Sequence, residues 1–250
     1  MRKLSRLAAG SVIAAATALG GASVALADGY SPKRVAYERP ADWSGVYFGV
    51  GSGYQWSGID QTFTAYPVSV TYEHDAAIVS AHIGLQHQFG NVVLGAEAGW
   101  LSTLRDDPAR TGDPCHVGGF FCTNRLNDIL TVGARVGWAA GHWMPYVTGG
   151  YASGRFAYEE ITTATGVKFA DGSTRHGGWY VGAGFEWIVS PGWTTGLEYR
   201  HYDFGERSAI PNTPAGAPVG VDIYTQDATV DTITARVSWR WGREAAAPLK

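Results

Sequence analysis

From Thr229 to Trp241 the chain alternates. Asp231, Ile233, Ala235, Val237, Trp239 and Trp241 form one set of positions, and Val230, Thr232, Thr234, Arg236, Ser238 and Arg240 the other. The first set is mostly apolar and ends in two indoles. The second is polar and carries two arginines. A period of two is that of a β-strand with one greasy and one wet face. The same pattern recurs over residues 45–56, 76–89, 92–101, 128–140, 144–158, 177–189 and 193–204. In 177–189, for example, Trp179, Val181, Ala183, Phe185 and Trp187 oppose Tyr180, Gly182, Gly184 and Glu186. The stretch 144–158 is the least regular. Its charge suggests Arg155 inward with Gly149, Tyr151 and Ser153, and Tyr146, Ala152 and Phe156 outward.

The connections alternate in length. Gly90-Asn91, Gly141-His142 and Ser190-Pro191-Gly192 read as tight turns. Residues 57–75, 102–127, 159–175 and 206–226 read as long polar loops. Eight strands with short turns at one end and long loops at the other match an eight-stranded antiparallel up-and-down transmembrane β-barrel. In lipid every backbone polar group must pair within the protein, and a closed sheet achieves that without helices. Val, Leu, Ile and Ala then face lipid and the charges face the lumen, the inverse of a soluble β-sandwich, the other architecture with this period. Trp56, Trp100, Trp138, Trp187, Trp193, Trp239 and Trp241 stand near strand ends, where an amphipathic ring prefers the headgroup layer.

The N-terminus carries an export signal. Arg2, Lys3 and Arg6 precede an apolar stretch, Leu7 to Ala22, and Ala25-Leu26-Ala27 offers a small-x-small cleavage site. The expected layout is a signal peptide over 1–27, a periplasmic leader over 28–44, the barrel over 45–241 and a tail over 242–250. Loss of three basic residues leaves 16 Lys+Arg against 22 Asp+Glu, near -6 rather than the -3 of the full chain. With no basic run, nothing suggests a nucleic-acid surface. Export also means an oxidising compartment, where Cys115 and Cys122 are expected to pair as a disulfide.

The inward set gathers His82, Glu97, Arg135, Arg155, Glu186, Glu198, Arg200, Arg236 and Arg240. An eight-stranded barrel is just wide enough for side chains to fill it, so these charges read either as a plug of Arg–Glu pairs or as the wall of a narrow path for ions or small solutes. Inward glycines such as Gly51, Gly95, Gly133, Gly182 and Gly184 would serve either purpose. For catalysis, His201 and Asp203 share the lipid face near a strand end, but no nucleophile accompanies them. His74, His116, His142 and His176 read as scattered loop or turn residues with no metal-ligand spacing, and no cofactor is implied.

The segments Asp42-Trp43-Ser44-Gly45-Val46-Tyr47-Phe48-Gly49-Val50-Gly51-Ser52-Gly53-Tyr54, Pro145-Tyr146-Val147-Thr148-Gly149-Gly150-Tyr151, Gly178-Trp179-Tyr180-Val181-Gly182-Ala183-Gly184-Phe185-Glu186 and Leu197-Glu198-Tyr199-Arg200-His201-Tyr202-Asp203-Phe204-Gly205 resemble, in order, strands of the alphaproteobacterial Omp25/Omp31-like, opacity-related porin family. The resemblance implies an outer-membrane barrel acting as a surface antigen or envelope-stabilising protein. Expected partners are outer-membrane lipid and lipopolysaccharide, the barrel-assembly machinery, and ions, small solutes or a host ligand at the long loops. That family usually ends on an aromatic residue; here nine residues follow Trp241.

Overall fold

The computed structural model describes residues 41–63, 68–104, 109–110, 119–209 and 224–241. They form β1 (Gly45–Phe63), β2 (Val68–Phe89), β3 (Val92–Thr103), β4 (Ala109–Arg110), β5 (Phe120–Trp138), β6 (Trp143–Thr162), β7 (Lys168–Ser190), β8 (Trp193–Ala209) and β9 (Tyr224–Trp241). β4 is a two-residue strand on the far end of β5. The other eight pair antiparallel in sequence order, β3 pairs with β5 and β1 with β9, so the sheet closes on itself as a ring. The tight turns are made by Gly90, Gly141 and Gly192, each in the left-handed region (φ 62, 66 and 78).

The alternation read from the sequence sorts the two faces over most of the ring. Val50, Leu85, Val132, Val147 and Val189 face outward and are exposed, while Gln55, Glu97, Arg135, Thr232 and Arg236 are buried. Outward aromatic rings form two belts. Phe48, Trp138, Trp143, Trp187, Trp193 and Trp241 lie at the tight-turn end; Trp56, Trp100, Tyr151, Trp179 and Tyr199 lie further along the same strands. Several strands separate the belts by eight residues, as from Phe48 to Trp56 and from Trp187 to Trp179. Eight residues at ~3.3 Å on a strand tilted by ~40° span about 20 Å along the barrel axis, close to the ~25 Å apolar band of an outer-membrane barrel.

Two sequence expectations are corrected here. Two of the segments expected as long loops, 57–75 and 159–175, are largely strand: β1 runs on to Phe63, β2 starts at Val68, β6 reaches Thr162 and β7 begins at Lys168. His74 and His176 therefore sit in strands, buried inside the ring. Beyond the second belt the faces exchange character. Ile59, Tyr72, Ile78, Leu126, Ile129, Phe156, Tyr180, Tyr202, Phe204 and Val230 pack inward as an apolar core, and residues such as Asp60, Thr71 and Thr229 face out. The interior is thus charged where lipid surrounds it, and beyond the belt it combines this apolar cluster with buried polar side chains such as Gln61, His74, Asn124, Glu160 and Gln226. The second correction is β6. Tyr146, Ala152 and Phe156 are buried and Tyr151 is 55% exposed, so the strand faces the opposite way to the expectation and Arg155 points outward. Arg155 lies past the second belt, where the outer face is wet and an arginine needs no lumen.

Candidate functional site

Within the lipid-surrounded part, three arginines and three glutamates meet at the centre of the ring: Arg135, Arg200, Arg236, Glu97, Glu186 and Glu198, all at least 93% buried. Glu97 is the hub. Its Oε1 accepts from Arg200 Nη2 at 2.6 Å and its Oε2 from Arg236 Nη2 at 2.6 Å. Arg135 Nη1 lies 3.6 Å from the same carboxylate and Arg135 Nη2 lies 3.0 Å from Glu186. Glu198 accepts from Arg236 Nη1 at 2.5 Å and pairs with Arg200 Nε at 2.7 Å. Equal numbers of each sign leave the layer neutral when all six groups are ionised. Two tyrosines extend it. Tyr47 donates to Glu97 and Tyr146 to Glu198, both at 2.9 Å, and their oxygens accept from Arg135 and Arg236. The Arg135 guanidinium also lies 3.9 Å from the Tyr146 ring centre.

Sequence explains how so much bulk fits. Each of the six charged residues stands opposite a glycine on a neighbouring strand: Glu97 opposite Gly84 and Gly133, Arg135 opposite Gly95, Glu186 opposite Gly196, Glu198 opposite Gly184, Arg200 opposite Gly182 and Arg236 opposite Gly51. A Cβ at Gly182 would stand 2.9 Å from Arg200 Cγ, and one at Gly95 3.1 Å from Arg135 Cγ. These inward glycines are occupied by arginine stems laid flat against the wall.

The lumen is covered on both sides of this layer. At the tight-turn end Trp43 is fully buried. Its amide donates to Gln88 Oε1 (2.9 Å), its carbonyl accepts from Gln86 Nε2 (2.6 Å) and its indole donates to the Gly141 carbonyl (3.1 Å). Met144, Val93 and Ala139 pack with it. At the other end stand Tyr180, Tyr202, Phe204 and Phe156, with Phe156 edge-on to Phe204 at 5.3 Å. Between the charges and these rings remains a cavity of about 20 Å³, lined by His82, Glu97, Thr131, Arg200, Tyr202 and Arg236 among others. That is room for about one water.

Of the nine charges expected inward, these six come together. His82 is buried but bonds Ser238 Oγ at 2.8 Å. Arg240 is half-buried, with its guanidinium 5.4 Å from the Trp43 ring, so it belongs to the floor. Arg155 is outside, beside Asp128. Sequence reasoning missed Trp43, Tyr47 and Tyr146 as parts of the filling. For Tyr47 the signal was present, since it shares a face with Gly49 and Gly51.

The seven tryptophans named from the sequence all lie in the belts. Trp239 is half-buried against Trp241 (4.1 Å), and the other six are 38–54% exposed. Cys122 is buried, with Sγ 2.9 Å from the Tyr158 hydroxyl; Cys115 and His116 lie outside the described residues. His201 and Asp203 do not meet. His201 Nδ1 bonds Asp231 Oδ1 at 2.8 Å, whereas Asp203 accepts from the Gly205 amide at 2.8 Å.

A closed ring of eight transmembrane strands with an apolar outer band and two aromatic belts defines an outer-membrane β-barrel protein. Residues 12–240 match the outer membrane protein beta-barrel domain, and the chain belongs to that family. It is 28% identical over 180 residues to the 31 kDa outer-membrane immunogenic proteins of Brucella melitensis biotype 1 and Brucella suis biovar 1, covering 67% of this chain and 74% of theirs. Among solved structures it is similar to Neisserial surface protein A (12% identity, TM-score 0.38, 79% of this chain and 98% of that one). It is also similar to OprG of Pseudomonas aeruginosa (12% identity, TM-score 0.48, 79% and 97%) and the outer membrane protease OmpT of Escherichia coli (10% identity, TM-score 0.44, 82% and 99%).

Proposed function

We propose that this protein is a non-enzymatic outer-membrane barrel with a closed, charge-filled lumen. It contributes to envelope integrity and presents a raised surface to the outside. The observation that carries this reading is the filling of the lumen at three successive levels: Trp43 at the floor, the Arg–Glu layer in the middle, and the tyrosine and phenylalanine rings above. A path for solute would have to displace all three. The long hairpins above the second belt form continuous sheet with its own apolar core, which suits a stable exposed surface. The Brucella relatives' description as immunogenic proteins supports surface exposure here.

The non-enzymatic reading is supported by the outward polar cluster. His201 Nδ1 and the Tyr199 hydroxyl both engage Asp231, but among the described residues no serine, threonine or cysteine is hydrogen-bonded to His201, and acyl transfer needs such a nucleophile beside the base.

The test is planar-bilayer conductance of the refolded protein, with folding shown independently by heat-dependent gel mobility. A folded protein that gives no steps supports the closed barrel. Reproducible steps that change when Glu97 or Arg236 is neutralised would instead make it a narrow porin with those residues in its wall.

A further inference from the structure

Arg155 and Arg175 stand directly opposite one another on β6 and β7. Like charges in that relation destabilise a sheet. Their common counter-ion is Asp128 on β5, 2.7 Å from Arg175 Nη2 and 3.4 Å from Arg155 Nε. One carboxylate thus serves two guanidiniums, leaving a net charge of +1. The carboxylate is the most covered of the three groups, its side chain 16% exposed, whereas Arg155 and Arg175 are 47% and 37% exposed. Arg175 Nη1 also donates to the Ser153 carbonyl at 3.4 Å, and the remaining N–H groups of these exposed guanidiniums are left for a further acceptor.

Their height is set by the belt below. Arg155 is four residues beyond Tyr151, and Arg175 four beyond Trp179, on the same outward faces. Four residues are about 13 Å along the strand, or roughly 10 Å along the membrane normal at a ~40° tilt. An arginine stem is long enough to reach back towards the headgroup layer that the belt marks. β8, β9 and β1 carry outward acids: Asp60 and Asp227 stand opposite one another beyond the belt, Asp231 stands opposite Trp56, and Asp203 stands opposite Trp179 at the edge of the arginine pair's side.

We propose that Arg155 and Arg175 bind the phosphate of a phosphorylated glycolipid in the outer leaflet, with the Tyr151 and Trp179 rings against the sugar or upper acyl chain. Guanidinium forks suit phosphate oxygens, and bonds to an ionised acceptor are roughly twice as strong as neutral ones. The proposal takes from the reading above only that the long-hairpin end faces outside. Protease nicking of the β6–β7 hairpin on intact cells tests that orientation separately, and lumen conductance has no bearing on the site.

The experiment is native mass spectrometry of the full, detergent-folded chain, titrated with bisphosphorylated lipid A, with dephosphorylated lipid A and with inorganic phosphate. Selective retention of the phosphorylated lipid is expected. The double variant R155Q/R175Q should lose at least about tenfold in apparent affinity, on the scale of two charge-assisted bonds. R125Q, which removes another outward arginine, should lose little. Equal binding of dephosphorylated lipid A, saturation by inorganic phosphate at the same affinity, or an unchanged double variant would each overturn the proposal. Should the double variant fail to show heat-dependent mobility, R175Q alone gives the same reading with a smaller loss.

Discussion

Arg236 Nη2 meets Glu97 Oε2 at 2.6 Å, although 139 residues separate them in sequence. The pair joins β9 to β3 across the ring and cannot form until the barrel closes. Glu97 also holds Arg200 and Tyr47. Glu97→Ala therefore leaves buried guanidinium charge uncompensated, and a loss of about 3–5 kcal/mol is expected. Urea unfolding in detergent, followed by tryptophan fluorescence, reads it. In a double-mutant cycle with Arg236→Ala the two losses should be non-additive by about 1 kcal/mol or more. Additive losses would mean that the ion pair contributes nothing.

Trp43→Ala removes the floor and not the two layers above it. The expected result is a destabilisation of about 3–5 kcal/mol, the range for deleting a large buried aromatic, with the folded variant still silent in a planar bilayer. Conductance appearing in this variant alone would show that the Arg–Glu layer does not close the lumen.

Val147 lies outward, midway between Trp143 and Tyr151, and Thr229 lies outward beyond the second belt. The same change should behave differently at the two sites. Val147→Arg puts a charge at mid-bilayer depth, at a cost of about 2–4 kcal/mol. Thr229→Arg sits in water and should stay within about 0.5 kcal/mol. Comparable penalties at both sites in lipid vesicles would contradict the exchange of faces.

His176 lies above the belt, 1% exposed, with its ring 4.9 Å from that of Phe156. Burial pushes its pKa down, and the charge of Arg207 adds to the effect. The folded state therefore prefers the neutral ring more than the unfolded state does. Its stabilising contribution is complete above the ordinary histidine value of about 6.5 and is lost as pH falls below it. Amide exchange in β6 and β7 beyond Tyr151 should accelerate on acidification from pH 7 to 5. His176→Phe should remove that response, and an unchanged response would assign it to other groups.

The lower barrel was legible because lipid imposes a single rule on each strand. Along β9, Ile233, Ala235 and Val237 had to face out, and Thr234 and Arg236 therefore faced in. The upper barrel was hidden by a change of phase. On β1 the apolar positions run through Val50, Tyr54 and Trp56 and then move to Ile59, which is buried. On β9 they move from Ile233 to Val230. A pattern that breaks phase looks like the end of a strand, so these segments read as loops. β6 misled for a related reason. Tyr146 looked like a membrane-facing aromatic and Arg155 like a lumenal charge, but depth decided both: within the bilayer zone the phenol turned inward to bond Glu198, and beyond it the guanidinium was free to turn out. For the candidate site, sequence supplied six of the residues that meet. It could not supply their partners, because pairing across a ring depends on register rather than on neighbours in the chain.

The exchange of faces at the second belt gives the molecule a waterline. Sunk by two residues per strand, the barrel would drag Asp231 and His201 into hydrocarbon; raised by two, it would lift its apolar girdle into water. Either displacement is opposed around the whole circumference at once. The protein is therefore a float of fixed draught, and the sheet above its waterline stands at a set height over the lipid.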